Sequence, residues 1–226
     1  MVKEIDNKNT LTTLGSLSLK SRPIHPHITI PEKFWHSRDY LPHFDQPGLI
    51  QSINFRLVDS VPAVLIDEWR TELSLHGSES AADPRMLELF QRIEKYSDLG
   101  RGECWLRNPE IAELVENAMM YFDGQRYRLL AWCVMPNHVH SLIETFKGHP
   151  LGSVLHSWKS YTSNEANKRL TREGQFWMRE YFDRYIRNWN HLTTVINYIE
   201  QNPVKAGLCQ RAEDWPWSSA RRRKEG

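Results

Sequence analysis

Residues 132–144 read WCVMPNHVHSLIE and set two imidazoles, His138 and His140, one residue apart directly after a Pro136-Asn137 break. In a β-strand, residues i and i+2 share a face. Both rings therefore project together, while Val139 points the opposite way into a core. Adjacent imidazoles repel when both are protonated, so the pair favours neutral rings, the form that ligates a divalent cation. Two hydrogen-bonded histidines on a sheet face satisfy the same spacing. Two ligands are also too few for a tight metal site, so a metal reading requires a third donor from elsewhere in the chain.

HLTTVINYIEQN (191–202) offers one. Leu192, Val195, Ile196 and Ile199 form an apolar helical stripe, and Tyr198 and Asn202, four residues apart, lie on its flank. Asn202 carries a hard amide oxygen suited to Mg²⁺ or Mn²⁺, and Tyr198 a phenolic nucleophile. Taken singly, a helical tyrosine also reads as packing, and an asparagine before Pro203 as a helix stop, because proline clashes with helical geometry before it. Tyr161, Tyr181 and Tyr185 are rival tyrosines.

The elements that position these groups follow from periodicity. Residues 1–40 are polar, contain Pro23, Pro26 and Pro31, and read as a poorly ordered or wrapping arm. IQSINFRLV (50–58) alternates as a half-buried strand. Asp59-Ser60 is expected to cap a helix in VPAVLIDEWRTEL, Asp83-Pro84 starts a second, and Asn108-Pro109 a third in PEIAELVENAMMYF. RYRLLAWCVM (126–135) and HVHSLIET (138–145) read as antiparallel neighbours, LGSVLHSWKSYTSNEANKRL (151–170) as a helix, GQFWMREYFDRYIR (174–187) as a strand and residues 191–202 as the last long helix. This order predicts an α+β fold with helices packed on an antiparallel sheet. There is no internal repeat.

With 226 residues, 40% of them hydrophobic, the chain is long enough for one sizeable core or a domain with an appendage. No run approaches the ~20 apolar residues of a membrane helix, and the N-terminus lacks the pattern of a secretory signal, so a cytoplasmic protein without membrane association is expected. Cys104, Cys133 and Cys209 are far apart with no CxxC, which argues against a zinc knuckle or a disulfide framework. Net charge is +1, unevenly spread: residues 1–158 hold 16 Lys+Arg against 20 Asp+Glu, and residues 159–226 hold 13 against 8. A basic C-terminal third suits a phosphate backbone, though a solvated tail fits the terminal run equally.

MPNHVHSLIE, REYFDRYIR, NYIEQNPVKAGL and DWPWSSA, in that order, resemble the REP-associated tyrosine transposases, single-tyrosine members of the HUH (His-hydrophobic-His) endonucleases. HFDQPGLIQSINFRL is similar to the opening strand of that family. The resemblance covers roughly residues 40–220, which gives an expected arm at 1–40, an HUH domain at 41–220 and a basic tail at 221–226. It implies a ferredoxin-like or RRM-like sheet bearing the histidines, with the tyrosine on a helix facing it. Position by position, His138, His140 and Asn202 correspond to the metal ligands and Tyr198 to the nucleophile.

The implied chemistry is cleavage and rejoining of single-stranded DNA beside imperfect palindromic hairpins, through a 5′-phosphotyrosine and a free 3′-OH. A phenol with pKa near 10 attacks a phosphodiester only when the phosphate is positioned and its developing charge is met, which is the expected office of Mg²⁺ or Mn²⁺. Lys159, Arg179, Arg184, Arg187, Arg221, Arg222 and Arg223 are candidates for backbone contacts, Trp177 and Trp189 for base stacking, and Glu144 for orienting a ligand. The expected setting is the nucleoid-associated cytoplasm, as a monomer or homodimer. Two other readings stay open: a metal-dependent phosphodiesterase that activates water, and a hairpin-binding protein without catalysis.

Overall fold

An alternating run such as Ile53, Phe55 and Leu57 buries one side of a strand only where a sheet and a helical layer receive it. The computed structural model, which describes residues 35–37, 42–44, 46–76 and 83–225, supplies both. A short ribbon, β1 (Trp35–Ser37) and β2 (Pro42–Phe44), comes first. The main sheet is built from β3 (Ile50–Leu57), β4 (Tyr127–Val134), β5 (His138–Thr145) and β6 (Trp177–Tyr185). Its strand order is β4-β5-β3-β6 with every pairing antiparallel. The expected arm at 1–40 lies, apart from β1, outside the described residues.

Between β3 and β4 run α1 (Ala63–Glu72), α2 (Pro84–Asp98) and α3 (Pro109–Met120); α4 (Leu151–Arg169) joins β5 to β6, and α5 (Trp189–Lys205) follows β6. The β-α-β-β-α-β order with an antiparallel sheet is the ferredoxin-like arrangement, enlarged by the α1–α2 pair. Asp83 and Asn108 cap α2 and α3 by accepting from the Arg85 and Glu110 backbone N–H groups, each with proline following. Asp59 is not a cap: α1 begins only after Pro62, and the Asp59 carboxylate instead accepts the Glu103 backbone N–H at 2.8 Å. Pro203 does not stop α5, which runs on to Lys205. In the last turn a proline forfeits one i→i−4 bond, while the Asn202 and Pro203 carbonyls still accept from Ala206 and Leu208.

The two sheet faces differ in kind. Ile53, Phe55, Leu57, Val139 and Ile143 pack with Ile111, Leu114, Val115, Leu155 and Trp158 of α3 and α4 into the main core. A register shift between Leu129 and Ala131 reverses the alternation of β4, so Leu129 and then Trp132 and Val134 all reach that core. The opposite face carries two separate apolar clusters. In one, α1 and α2 pack through Ile66, Met86, Leu89 and Ile93 onto Phe182. In the other, α5 packs through Leu192 and Ile199 onto Ala131, Cys133 and Leu142. Asn54, Arg56, His138 and His140 occupy the polar strip of this face, where Asn54 pairs with His140 and Arg56 with His138 across β3 and β5.

The C-terminal segment closes the β4 edge. Val134 N–H donates to the Trp217 carbonyl at 2.9 Å, Trp215 Nε1 to the Val134 carbonyl at 3.0 Å, and Trp132 N–H to Ser219 Oγ at 3.1 Å. The DWPWSSA stretch thus pairs with an edge that otherwise invites intermolecular pairing. Beyond it, α6 (Ser219–Glu225) is docked rather than trailing: Arg222 pairs with buried Glu116 at 3.0 Å, and Arg223 with Glu200.

Candidate active site

The hairpin between β4 and β5 fixes the first histidine. Met135 N–H donates to the His138 carbonyl at 2.9 Å across Pro136-Asn137, and the Leu57 N–H donates to the Asn137 carbonyl at 2.8 Å. The Asn137 side chain is held in turn by donation from Nδ2 to the Arg101 carbonyl at 2.9 Å. Its Oδ1 lies 2.8 Å from His138 Nδ1. An amide oxygen there accepts the Nδ1–H, which leaves His138 Nε2 as a bare acceptor. Arg101 sits in a loop that requires glycine at 102: φ is +82°, and a Cβ would meet the Asp59 carbonyl oxygen at 2.8 Å.

His138 and His140 are 0% and 2% exposed, and their Nε2 atoms stand 3.0 Å apart with the rings nearly perpendicular. Two ligands cis on an octahedral ion, each at about 2.1 Å, are about 3.0 Å apart. A third acceptor converges on them. Asp98 Oδ1 lies 3.3 Å from His138 Nε2, is itself buried, and has no hydrogen bond among the described residues. Asp98, His138 and His140 offer ligand atoms within 4.8 Å of one another. Three convergent acceptors, one an orphaned carboxylate oxygen, fit a divalent cation. Burial, together with the neighbouring His138 and Lys205, holds the His140 imidazole well below its ordinary pKa and so keeps it in the ligating form.

Asp98 was invisible to the HxH motif because it comes from α2, some forty residues upstream. The signal that could have found it is helical spacing: Glu94 and Asp98 are four apart and share a face, on the flank of the Met86, Leu89 and Ile93 stripe that seats the helix. Each carboxylate lies near one histidine. Glu94 Oε1 is 3.8 Å from His140 Nδ1 and accepts from Asn54 Nδ2 at 3.4 Å. Burial raises the Glu94 carboxyl above the usual carboxylate range, partly offset by the hydroxyl of Tyr198.

Tyr198 meets the histidines from α5. Its ring stands edge-on to His140, centroids 5.7 Å apart at 90°, with Lys205 Nζ 4.2 Å from the ring centroid. Burial, then the Glu94 charge, pushes the phenol well above its ordinary pKa. Asn202 is buried one turn on, its Nδ2 3.4 Å from the Tyr198 carbonyl. The rival tyrosines sit elsewhere: Tyr181 in the main core, Tyr185 beside Phe44, and Tyr161 exposed on α4.

A small cavity of ≈ 80 Å³ opens beside His138, lined by Asp98, Arg107, Met135, Pro136, Ala206 and Leu208. Arg107 is exposed at its rim. A larger groove of ≈ 700 Å³ lies between α3 and α4, on the sheet face away from the histidines.

The other residues singled out in the sequence separate into surface and interior. Arg179, near the beginning of β6, and Arg187 are exposed, Arg184 is half-buried and Trp189 is 41% exposed, the last three lying around the end of β6 and the start of α5. Lys159 donates to the Met178 and Arg179 carbonyls, both at 2.7 Å. Trp177 is 4% exposed, packed against Phe55, with Nε1 donating to Thr162 Oγ1 at 2.9 Å, so no ring face is open for stacking. Glu144 faces Arg128 across the strands at 3.6 Å. It is four residues from His140, about 13 Å along the strand, and Glu94 and Asp98 stand where it was expected. Arg221 is exposed, while Arg222 and Arg223 are engaged by Glu116 and Glu200. Among the described residues, no helix is long and apolar enough to cross a membrane.

Residues 105–202 match the family model described as Transposase IS200 like. The chain is 26% identical over 106 residues to a putative REP-associated tyrosine transposase of Haemophilus influenzae, covering 42% of this chain and 60% of that one. It is 28% identical over 114 residues to the REP-associated tyrosine transposase of Escherichia coli K12, covering 49% of this chain and 65% of that one. The matched region therefore spans less than two thirds of either relative. A solved REP-associated tyrosine transposase bound to a REP hairpin shares the fold, with a TM-score of 0.51 and 16% identity over 82% of this chain and 84% of that one. Residues 105–202 are thus similar to the IS200-like transposases, and the fold is similar to that of a solved REP-associated tyrosine transposase.

Proposed function

We propose that the protein is a metal-dependent single-stranded DNA endonuclease and strand transferase that cleaves beside hairpin sequences through a 5′-phosphotyrosine. The observation that carries this reading is the perpendicular approach of the Tyr198 ring to His140, 5.7 Å between centroids, at a point where two imidazole Nε2 atoms converge. The apolar stripe of α5 seats the helix on β4 and β5, and Tyr198 on the flank of that stripe is thereby carried to the edge of the polar strip.

His138, His140 and Asp98 would hold Mg²⁺ or Mn²⁺, with Asn202 the further donor from α5. Such an ion supplies Lewis-acid polarisation of a non-bridging phosphate oxygen. The chain's own residues do the rest. Asn137 fixes the His138 tautomer, and Tyr198 Oη, giving up its proton to solvent, attacks the phosphorus as the 3′-oxygen departs with its bonding pair and takes up a proton. The resulting ester conserves the phosphodiester linkage, so a 3′-OH reverses the step and joins strands. Arg107, at the rim of the cavity beside His138, is placed to meet the phosphate. Arg179, Arg184, Arg187 and Trp189 offer a basic and aromatic surface for the strand, and the hairpin in the solved relative supports a hairpin as the DNA partner.

The test is incubation with labelled single-stranded hairpin DNA from beside the protein's own gene, in Mg²⁺ or Mn²⁺, followed by denaturing electrophoresis. A protein-linked DNA band, lost in Tyr198→Phe and in His138→Ala, is expected. Cleavage without a linked band would favour water activation instead. Hairpin binding indifferent to EDTA, with no cleavage in either metal, would favour a binding protein.

A further inference from the structure

Lys205 closes α5, about two turns after Tyr198 on the same side of the helix, and nothing in the reaction above uses it. We propose that Lys205 is a further catalytic residue: its ammonium, seated over the Tyr198 ring, meets a non-bridging oxygen of the phosphate that the phenol attacks. This rests on the reading of Tyr198 as the nucleophile.

Three observations carry it. The first is place. Lys205 Nζ lies 4.2 Å from the centroid of the Tyr198 ring, and that ring stands perpendicular to His140, 5.7 Å between centroids. A phosphorus poised for attack is about 3–3.5 Å from the attacking oxygen. A lysine head is a point charge on a flexible stem, so one seated on that ring reaches the oxygens of such a phosphate. The second is availability. Among the described residues Nζ makes no ion pair or hydrogen bond, whereas the Lys168 ammonium is paired with Glu165 at 2.7 Å. Lys205 is exposed, so an incoming strand can approach it. The third is setting. Ala206, the next residue, lines the cavity beside His138, which Arg107 also lines. Asp98 and Glu94 gather negative charge around the histidines, and a phosphodiester brings more.

A cation over an exposed ring adds little to the fold. A cation beside the transferring phosphate acts where charge develops. Attack forms the Oη–P bond and breaks the P–O3′ bond, while the ammonium keeps its protons and meets the charge on the non-bridging oxygens.

Lys205→Met keeps an apolar stem over the ring and removes the charge, whereas Lys205→Arg keeps a charge. Single-turnover cleavage at saturating hairpin and Mn²⁺ is expected to fall about 100-fold in Lys205→Met, and Lys205→Arg should recover about tenfold or more of that loss. The slope of log Kd for the hairpin against log salt should drop by about one in Lys205→Met, with Tm unchanged. A second measurement separates a phosphate contact from packing on the ring. The cleaved position, read from the 3′-OH product, is rebuilt as a methylphosphonate, which exchanges one charged oxygen for a methyl group. In one of the two stereoisomers the Lys205→Met penalty should shrink to within about threefold. A penalty equally large on native DNA and on both stereoisomers would overturn the proposal, and so would a wild-type rate in Lys205→Met. Failure of the nucleophile reading looks different. Cleavage without a protein-linked band, still slowed in Lys205→Met and still sensitive to the methylphosphonate, keeps the ammonium and rejects the tyrosine. A linked band formed at the wild-type rate by Lys205→Met keeps the tyrosine and rejects the ammonium. No cleavage by the wild-type protein in either metal rejects both.

Discussion

Replacing Asn137 with alanine separates the histidine pair from the loop that steadies it, and the cost can be worked from two contacts. Oδ1 accepts from His138 Nδ1 at 2.8 Å, and Nδ2 donates to the Arg101 carbonyl at 2.9 Å. Each such bond contributes about 1 kcal/mol net, and a donor stranded in a dry interior costs about 1–3 kcal/mol. His138 is 0% exposed, so its Nδ1–H takes the full penalty. Arg101 is exposed, and water can replace the amide at its carbonyl. The total comes to about 2–3 kcal/mol, or roughly 4–12 °C in Tm for a chain of this size. The backbone bond from Leu57 to the Asn137 carbonyl survives, so the hairpin should keep its register. The metal-binding effect is separate. An imidazole that loses its tautomer-fixing partner loses about 10–100-fold in metal affinity. Mn²⁺ titration by calorimetry or electron paramagnetic resonance, alongside urea denaturation, reads both numbers. Asn137→Asp retains the acceptor for His138 and should keep the metal affinity while losing the bond to Arg101. Asn137→Ala with the predicted loss of stability but Mn²⁺ affinity within twofold of wild type would refute the tautomer reasoning.

Gly102→Ala forces a side chain into a left-handed backbone position 2.8 Å from the Asp59 carbonyl; a loss of about 2 kcal/mol or more is expected in thermal melts. Trp177→Ala should destabilise by about 3–5 kcal/mol while hairpin affinity of the folded protein, read by fluorescence anisotropy, stays unchanged. Trp189→Ala should do the reverse, weakening binding with Tm unaltered. Buried His43 lies 2.6 Å from Asp183 and 3.3 Å from Glu180. Although burial alone disfavours its charged form, the two carboxylates raise its pKa above the ordinary value of about 6.5. Above that value the unfolded chain releases a proton that the folded chain retains, so this contribution, complete below about pH 6.5, is lost as pH rises through the raised pKa. Urea midpoints between pH 6 and 9 should fall more steeply in wild type than in His43→Gln.

The parts of the site legible in the sequence are those whose geometry is local. Two histidines at i and i+2 share a face by strand pleating alone, and Tyr198 and Asn202 by helical pitch alone. Their mutual approach was available only through the family resemblance, because it depends on which sheet face α5 covers. The strand pattern was likewise readable in Ile53, Phe55 and Leu57, but the shift between Leu129 and Ala131 that keeps Trp132 in the same core is an insertion in register that no period reveals. Trp177 and Glu144 were misjudged for one reason. A tryptophan beside arginines and a glutamate on the histidine side of a strand are described correctly by sequence, yet what decides their roles is depth and distance along the strand. Pro203 was overread because its penalty falls on the one preceding turn, and at a helix end there is little left to break.

Asp98 and Glu94 carry a different lesson. Both lie upstream of the segment that matches the transposase family, in a helix whose apolar stripe reads as ordinary core. Their presence over the histidines is a consequence of that stripe: Met86, Leu89 and Ile93 seat α2 on the sheet beside Phe182, and the polar flank of the same helix is then obliged to face the strip between the two apolar clusters. Two partly buried carboxylates beside paired imidazoles cost free energy unless a cation or a donor meets them. Among the described residues, Asp98 has no hydrogen bond at Oδ1, which lies 3.3 Å from His138 Nε2. Metal loading should therefore stabilise the fold, and Asp98→Asn should uncouple the two. In wild type, saturating Mn²⁺ at 100 times its Kd raises stability by about 2.7 kcal/mol. In Asp98→Asn the metal-free protein should be no less stable than wild type, because the repulsion among acceptors is relieved, and the increment at the same Mn²⁺ concentration should shrink. An Asp98→Asn protein that is less stable without metal and gains as much with it would mean that the carboxylate belongs to the helix and not to the ion.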